Sequence, residues 1–382
     1  MRALLIADAR FSRREHAFLR RLEIGLLGEG PRVLRAVPEV SYPIQPETLG
    51  RIVAYPEHRS RFGRASAMRR FIDALRSATP AITTDSDGAL FEVVHAFGQE
   101  CWDRAAHTAE LMGGALVIEL TSASDIRATR GFEHTLRTRH PDLQPPVWTA
   151  PNRRIEEAAR LLSLRGDVRL TPWGVHTPSR AHRPRDPDRP LSVSVVCSGV
   201  EPKALHPLLD AFAQLGDQRE RVMLFVDATA TDADHGLWAR AEQLGILEHI
   251  TFVADMESRR EIVLETDVLA IPERMGQLRT ILLDAMACGM LVVSRDDPLI
   301  EATATEGVAL IIEEPSKAAW LDTLRSIAAD PALVTQFGAH ARERVREDRP
   351  VHRHIEAVMD AYSSALAPPP IPMHASPQPP GS

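Results

Sequence analysis

The stretch of this chain best equipped for chemistry is the polar loop from Pro272 to Arg279, because of what flanks it. An apolar run at 268–271 leads in, an amphipathic segment at 280–288 leads out, Gly289 closes that segment, and a second apolar run follows at 291–293. Strand, loop, helix, glycine cap and strand form the repeating unit of an open parallel sheet. Ligands of such sheets lie beyond the carboxyl ends of the strands, where a helix N-terminus turns free N–H groups towards an anion. The chemistry expected of this loop is therefore the holding of an anionic group such as a phosphate.

Such a loop needs a sheet to hold it, and the chain alternates strands and helices enough for two. At 382 residues it exceeds what one hydrophobic core usually supports. The first half reads as a strand at 2–9, a loop at 10–15, a helix carrying Phe18, Leu19, Leu22, Leu26 and Leu27, and a strand at 32–37. Strands follow at 91–96, 115–120, 147–150 and 168–170, with helices at 105–112 and 155–164. Residues 125–140, with four arginines among Thr and Gly, read as a mobile or surface segment. The second half reads as strands at 191–196, 222–226, 250–253, 268–271 and 291–293, with helices at 237–244, 280–288, 318–329 and 331–346. The expectation is an α/β protein with two Rossmann-like βαβ domains, 1–172 and 191–350, joined by a Pro- and Arg-rich hinge at 173–190. A terminal helix at 351–366 and a proline-rich, disordered tail at 367–382 complete the chain.

LLDAMACGMLVVS at 282–294, followed by Glu301 and by EGVALIIEEP at 306–315, resembles the nucleotide-sugar half of retaining glycosyltransferases of the GT-B fold. The pattern of that family (family 4-like, glycosyl transferases group 1) is E-x7-E-A-M-A-x-G-x-P-V-V followed by G-x-L-V-x-P. The resemblance implies two domains facing across a cleft, the first on the acceptor side and the second binding the nucleotide sugar, with the 351–366 helix crossing back to the first. It also implies retaining transfer of a sugar from a nucleotide-sugar donor to a glycan, lipid or small-molecule acceptor.

Carried over position by position, the resemblance gives Lys203 and the helix start at Thr280 to the donor diphosphate, and Asp284, in place of a glutamate, to the ribose hydroxyls. Ser198, before Gly199, stands where the family has an arginine, and Gly276 stands where it has the first glutamate of E-x7-E. Arg279 replaces a family glycine near the phosphates, where it either restores the charge missing at Ser198 or faces solvent. Thr121 takes the place of a sugar-contacting histidine, and Glu273 lies three residues before Gly276; these two are the catalytic candidates. On the acceptor side Arg13, Arg14 and His16 fill a loop that usually holds a glycine pair, and His95 either lines the cleft or is a satisfied structural residue. With Thr121, Ser198 and Gly276 all departing from the pattern, the alternative is a catalytically degenerate GT-B binding or scaffold protein.

Composition narrows the partners. A chain with 44% apolar and 25% charged residues is an ordinary globular protein, and its net charge of -7 disfavours nucleic acid. No apolar run reaches the ~18 residues of a membrane span and no signal-peptide core is seen, so a cytoplasmic location is expected. Cys101, Cys197 and Cys288 are widely separated, which suits buried hydrophobes better than a disulfide framework or zinc site. No metal or cofactor is expected, since no DxD pair follows a strand and no lysine is placed for pyridoxal. The basic stretch 56–76 reads as a solvated helix face, with attraction to an anionic acceptor or membrane surface as the alternative.

Overall fold

The structure is a computed structural model that describes residues 1–39, 51–56, 61–78, 90–179, 189–201, 203–228, 234–254, 256–257 and 259–367. Residues 180–188 of the hinge and 368–382 of the proline-rich tail fall outside the described residues, as do the side chains of Arg59, Arg61 and Arg64.

Seven strands make the first sheet: β1 (Arg2–Ala7), β2 (Arg32–Pro38), β3 (Arg51–Tyr55), β4 (Val93–Phe97), β5 (Ala115–Glu119), β6 (Val147–Ala150) and β7 (Val168–Leu170), in the order β3-β2-β1-β4-β5-β6-β7. Six make the second: β8 (Leu191–Val195), β9 (Val222–Asp227), β10 (Ile250–Val253), β11 (Val268–Ile271), β12 (Leu291–Arg295) and β13 (Leu310–Ile312), in the order β10-β9-β8-β11-β12-β13. Neighbouring strands run parallel in both. Parallel strands are covered on both faces, which is why β1 and β11 are continuous apolar runs rather than alternating ones. This is the two-sheet, Rossmann-like α/β architecture expected from the alternation.

Each sheet reverses its winding beside its first strand: β1 lies between β2 and β4, and β8 between β9 and β11. These are the switch points at which open sheets bind ligands. The loops after β1, β8 and β11 therefore converge between the two halves. Below them one apolar cluster runs through both halves, joining Phe18, Phe97, Trp173 and Tyr362 to Ile281, Leu282 and Met286. The helix Val351–Leu366 packs on the helix His16–Gly28 and on β4, β5 and β6. No helix among the described residues is long and apolar enough to cross a membrane.

Two local expectations are corrected. Residues 10–15 are not an open loop: Asp8 accepts the Phe11 N–H at 2.7 Å and caps a short helix, Ala9–Arg14. Residues 125–140 are not a mobile surface segment but most of a helix, Ala123–Arg139. Ser122 caps it by accepting the Asp125 N–H at 3.1 Å, and Phe132 and Leu136 bury one of its faces. Strand β3, RIVAY, for which the sequence reading gave no expectation, pairs with β2.

Candidate functional site

The helix Thr280–Cys288 follows β11 and ends at Gly289, whose φ of 85° gives the left-handed cap. Eight of its nine residues are buried, so the sheet and its neighbours fix it rigidly. Its N-cap, Arg279, makes no side-chain cap hydrogen bond, which leaves the first N–H groups to outside acceptors. The acceptor comes from the other half of the molecule. Glu15, fully buried at the end of the Ala9–Arg14 helix, takes the Thr280 N–H at 3.3 Å and the Thr280 hydroxyl. A carboxylate thus occupies the anion position that the loop pattern calls for.

A network of buried charges surrounds this contact. Arg260 donates to the Thr280 hydroxyl at 2.8 Å, to the Arg14 carbonyl at 3.2 Å and to Glu15 at 3.4 Å, and it pairs with Asp284. Arg21, from the first half, reaches the other Asp284 oxygen at 2.6 Å. Arg279 pairs with Glu257, and Arg14 donates to the Ser198 carbonyl at 2.8 Å. Burial, then the nearby Arg14, pushes the Arg279 guanidinium down to about 9, and burial, then Arg10, pushes Arg14 down to about 10. Both remain cations at neutral pH. Among the described residues, Arg14 Nη1, Arg21 Nε and Nη2 and Arg279 Nε are buried with no hydrogen-bond partner. The cleft therefore holds more cationic donor capacity than its own carboxylates use.

Residues 180–344 match the family model of glycosyl transferases group 1. Over the whole chain the structure is similar to the sucrose-phosphate synthase of Thermosynechococcus elongatus, with a TM-score of 0.71, 14% identity and coverage of 95% of this chain and 98% of that one. It is equally similar to Anabaena HepE, solved with UDP and glucose, with a TM-score of 0.71, 13% identity and coverage of 95% and 100%. The chain has the GT-B fold. A D-inositol 3-phosphate glycosyltransferase of Jonesia denitrificans is 24% identical over 168 residues, 43% of this chain; the match spans about a third, 33%, of that relative's length.

Within this GT-B frame the candidate residues separate into three groups. Arg14, Ser198, Arg279, Thr280 and Asp284 come together in the buried network. Glu273 joins them from below: its carboxylate accepts the Ser198 N–H and, at 3.3 Å, the Glu201 N–H, which ties the loop after β8 to the loop after β11. Gly199, at φ 76°, makes the bend in that loop. Gly276, at φ 56°, donates its N–H to Asp297 at 2.7 Å and accepts the Ala123 N–H at 3.0 Å. A larger residue there would be strained by the backbone alone.

The remaining candidates lie elsewhere. The Thr121 hydroxyl is buried and donates to Asp125 at 2.8 Å, inside the cap of the Ala123–Arg139 helix. His95 is fully buried under the terminal helix, 3.0 Å from the Tyr362 hydroxyl and 3.5 Å from Glu119, and burial lowers its pKa. Arg13 is exposed and bonds only its own helix, at the Ala9 carbonyl, while His16 opens the next helix half-buried. Lys203 is exposed on the loop after β8, where its charge reaches Asp234. Glu15, Arg21, Glu257 and Arg260 were not marked by any motif. They join the site from segments hundreds of positions apart, or from a five-residue helix, Arg260–Leu264, too short for a hydrophobic period.

Proposed function

We propose that the protein is a retaining glycosyltransferase that takes a sugar from a nucleotide-sugar donor, with the donor diphosphate bound at the N-terminus of the Thr280–Cys288 helix. The observation that supports this most is the buried, unpartnered guanidinium donors of Arg14, Arg21 and Arg279 around an anion-accepting helix end. In this reading the diphosphate displaces the Glu15 carboxylate, takes the Thr280 N–H, and is neutralised by Arg14, Arg260 and Arg279. Those charges stabilise the leaving group as an oxocarbenium-like sugar forms. Asp284 exchanges one arginine for the ribose diol. The similar HepE structures hold UDP and glucose, the same class of ligand.

Calorimetric titration with UDP, GDP and ADP tests this, using the intact chain and Glu15→Ala. Removing the competing carboxylate is expected to tighten binding of the preferred diphosphate about 10-fold, or roughly 1.4 kcal/mol. A second reading, a degenerate GT-B binding or scaffold protein, is favoured by Gly276 in the glutamate position and by the saturation of both Asp284 oxygens. If neither the parent nor a folded Glu15→Ala binds any of the three nucleotides, only this second reading remains.

A further inference from the structure

The outer face of the first half carries a cluster that the cleft does not use. His107 and Glu110 lie one turn apart on the helix Trp102–Met112, so both side chains leave it on the same side. His140, the C-cap of the Ala123–Arg139 helix, is buried and closes on them: its Nδ1 is 2.6 Å from a Glu110 oxygen, and its ring centroid is 5.9 Å from that of His107. One donor atom from each of the three residues lies within 4.8 Å of the other two. The cluster is remote from the donor site. Ser122 pairs with Gln277 at the start of the Ala123–Arg139 helix, whereas His140 lies past its other end, about 25 Å away at ~1.5 Å per residue.

We propose that His107, Glu110 and His140 bind one zinc ion. Two imidazoles and a carboxylate form a donor set that zinc takes at three-ligand sites, while calcium and magnesium demand oxygen ligands. Zinc bonds of ~2.0–2.1 Å in a tetrahedron place neighbouring donors roughly 3.3 Å apart. Forming the site requires donors as far apart as the 4.8 Å limit to close by up to about 1.5 Å and the 2.6 Å contact between Glu110 and His140 to open. Both histidines line a groove of roughly 740 Å³ between the helices Arg61–Ala78 and Trp102–Met112, which leaves room for a fourth, non-protein ligand. The spacing H-x-x-E followed thirty residues later by His lies outside the CxxC and DxD patterns. The fold makes the site, by bringing a helix end against a helix face.

Equilibrium dialysis of the untagged, chelator-treated full chain against zinc chloride tests the proposal, with cobalt as a spectroscopic stand-in. The expected result is one zinc per chain at micromolar free metal, tetrahedral cobalt absorption, and about 100-fold weaker binding in His107→Ala and in Glu110→Gln. His107 is half-buried at the groove, so its variant is expected to fold, as circular dichroism would check. Equal zinc affinity and stoichiometry in parent and His107→Ala would overturn the proposal and leave only a His140–Glu110 ion pair. Should the variants not fold, the absence of tetrahedral cobalt bands in the parent overturns it equally.

Discussion

Two of the junctions between the halves of the molecule are opposite in character. At one, the hinge and the terminal helix close on the first sheet through aromatic rings: Trp173 lies 4.3 Å from Phe18, Phe18 lies 5.3 Å from the His354 ring, and Trp173 donates to Glu119 at 2.8 Å. At the other, Glu15, Arg21, Arg260 and Asp284 meet across the switch points through charges alone. Burying aromatic surface is favourable without directional demands. A buried ion network regains its desolvation cost only through good geometry, and it weakens sharply when one member changes. The aromatic junction therefore holds the halves together, and on the proposed function the ionic junction is the one a donor diphosphate would open.

Breaking the aromatic junction is expected to have the largest effect. Trp173 is fully buried, so Trp173→Ala should lower unfolding stability by about 4 kcal/mol in urea titrations. Next comes Arg260→Ala, which takes from Asp284 one of its two arginines and from Glu15 its ion pair, and should cost about 3 kcal/mol. A larger loss for Arg260→Ala than for Trp173→Ala would reverse the assignment of the two junctions.

A third effect, read as a change with pH, belongs to the aromatic junction. Burial holds His354 down to about 4, against an ordinary 6.5. Between these values the unfolded chain carries the extra proton, so this contribution is complete above 6.5 and lost as the pH falls towards 4. Its slope is at most about 1.4 kcal/mol per pH unit. Asp8, raised by burial to about 6, acts with the opposite sign over 3.8 to 6, but it is common to parent and variant. The stability difference between the parent and His354→Asn should therefore shrink as pH falls from 6.5 towards 4. A difference that stays flat across that range would show that His354 is protonated in the folded chain.

Within the sequence alone, the alternation of apolar runs determined most of the fold. Parallel strands buried on both faces must be continuously apolar, and VLAI, then TILLDAMAC, then Gly289 could hardly be anything but strand, helix and cap. The open helix end at Thr280 was legible for the same local reason. The Ala123–Arg139 helix was less so, because only three large apolar residues, Ile126, Phe132 and Leu136, mark it among four arginines; its Ser122-x-x-Asp125 start was the available signal. Only tertiary structure decided what faces that helix end. Glu15 and Thr280 are separated by 265 positions, Arg21 and Asp284 by 263, and no period or propensity relates residues that far apart. Side chains on different elements become neighbours when the two switch points are brought together. Their pairing depends on the packing of whole sheets, and local sequence carries no imprint of it.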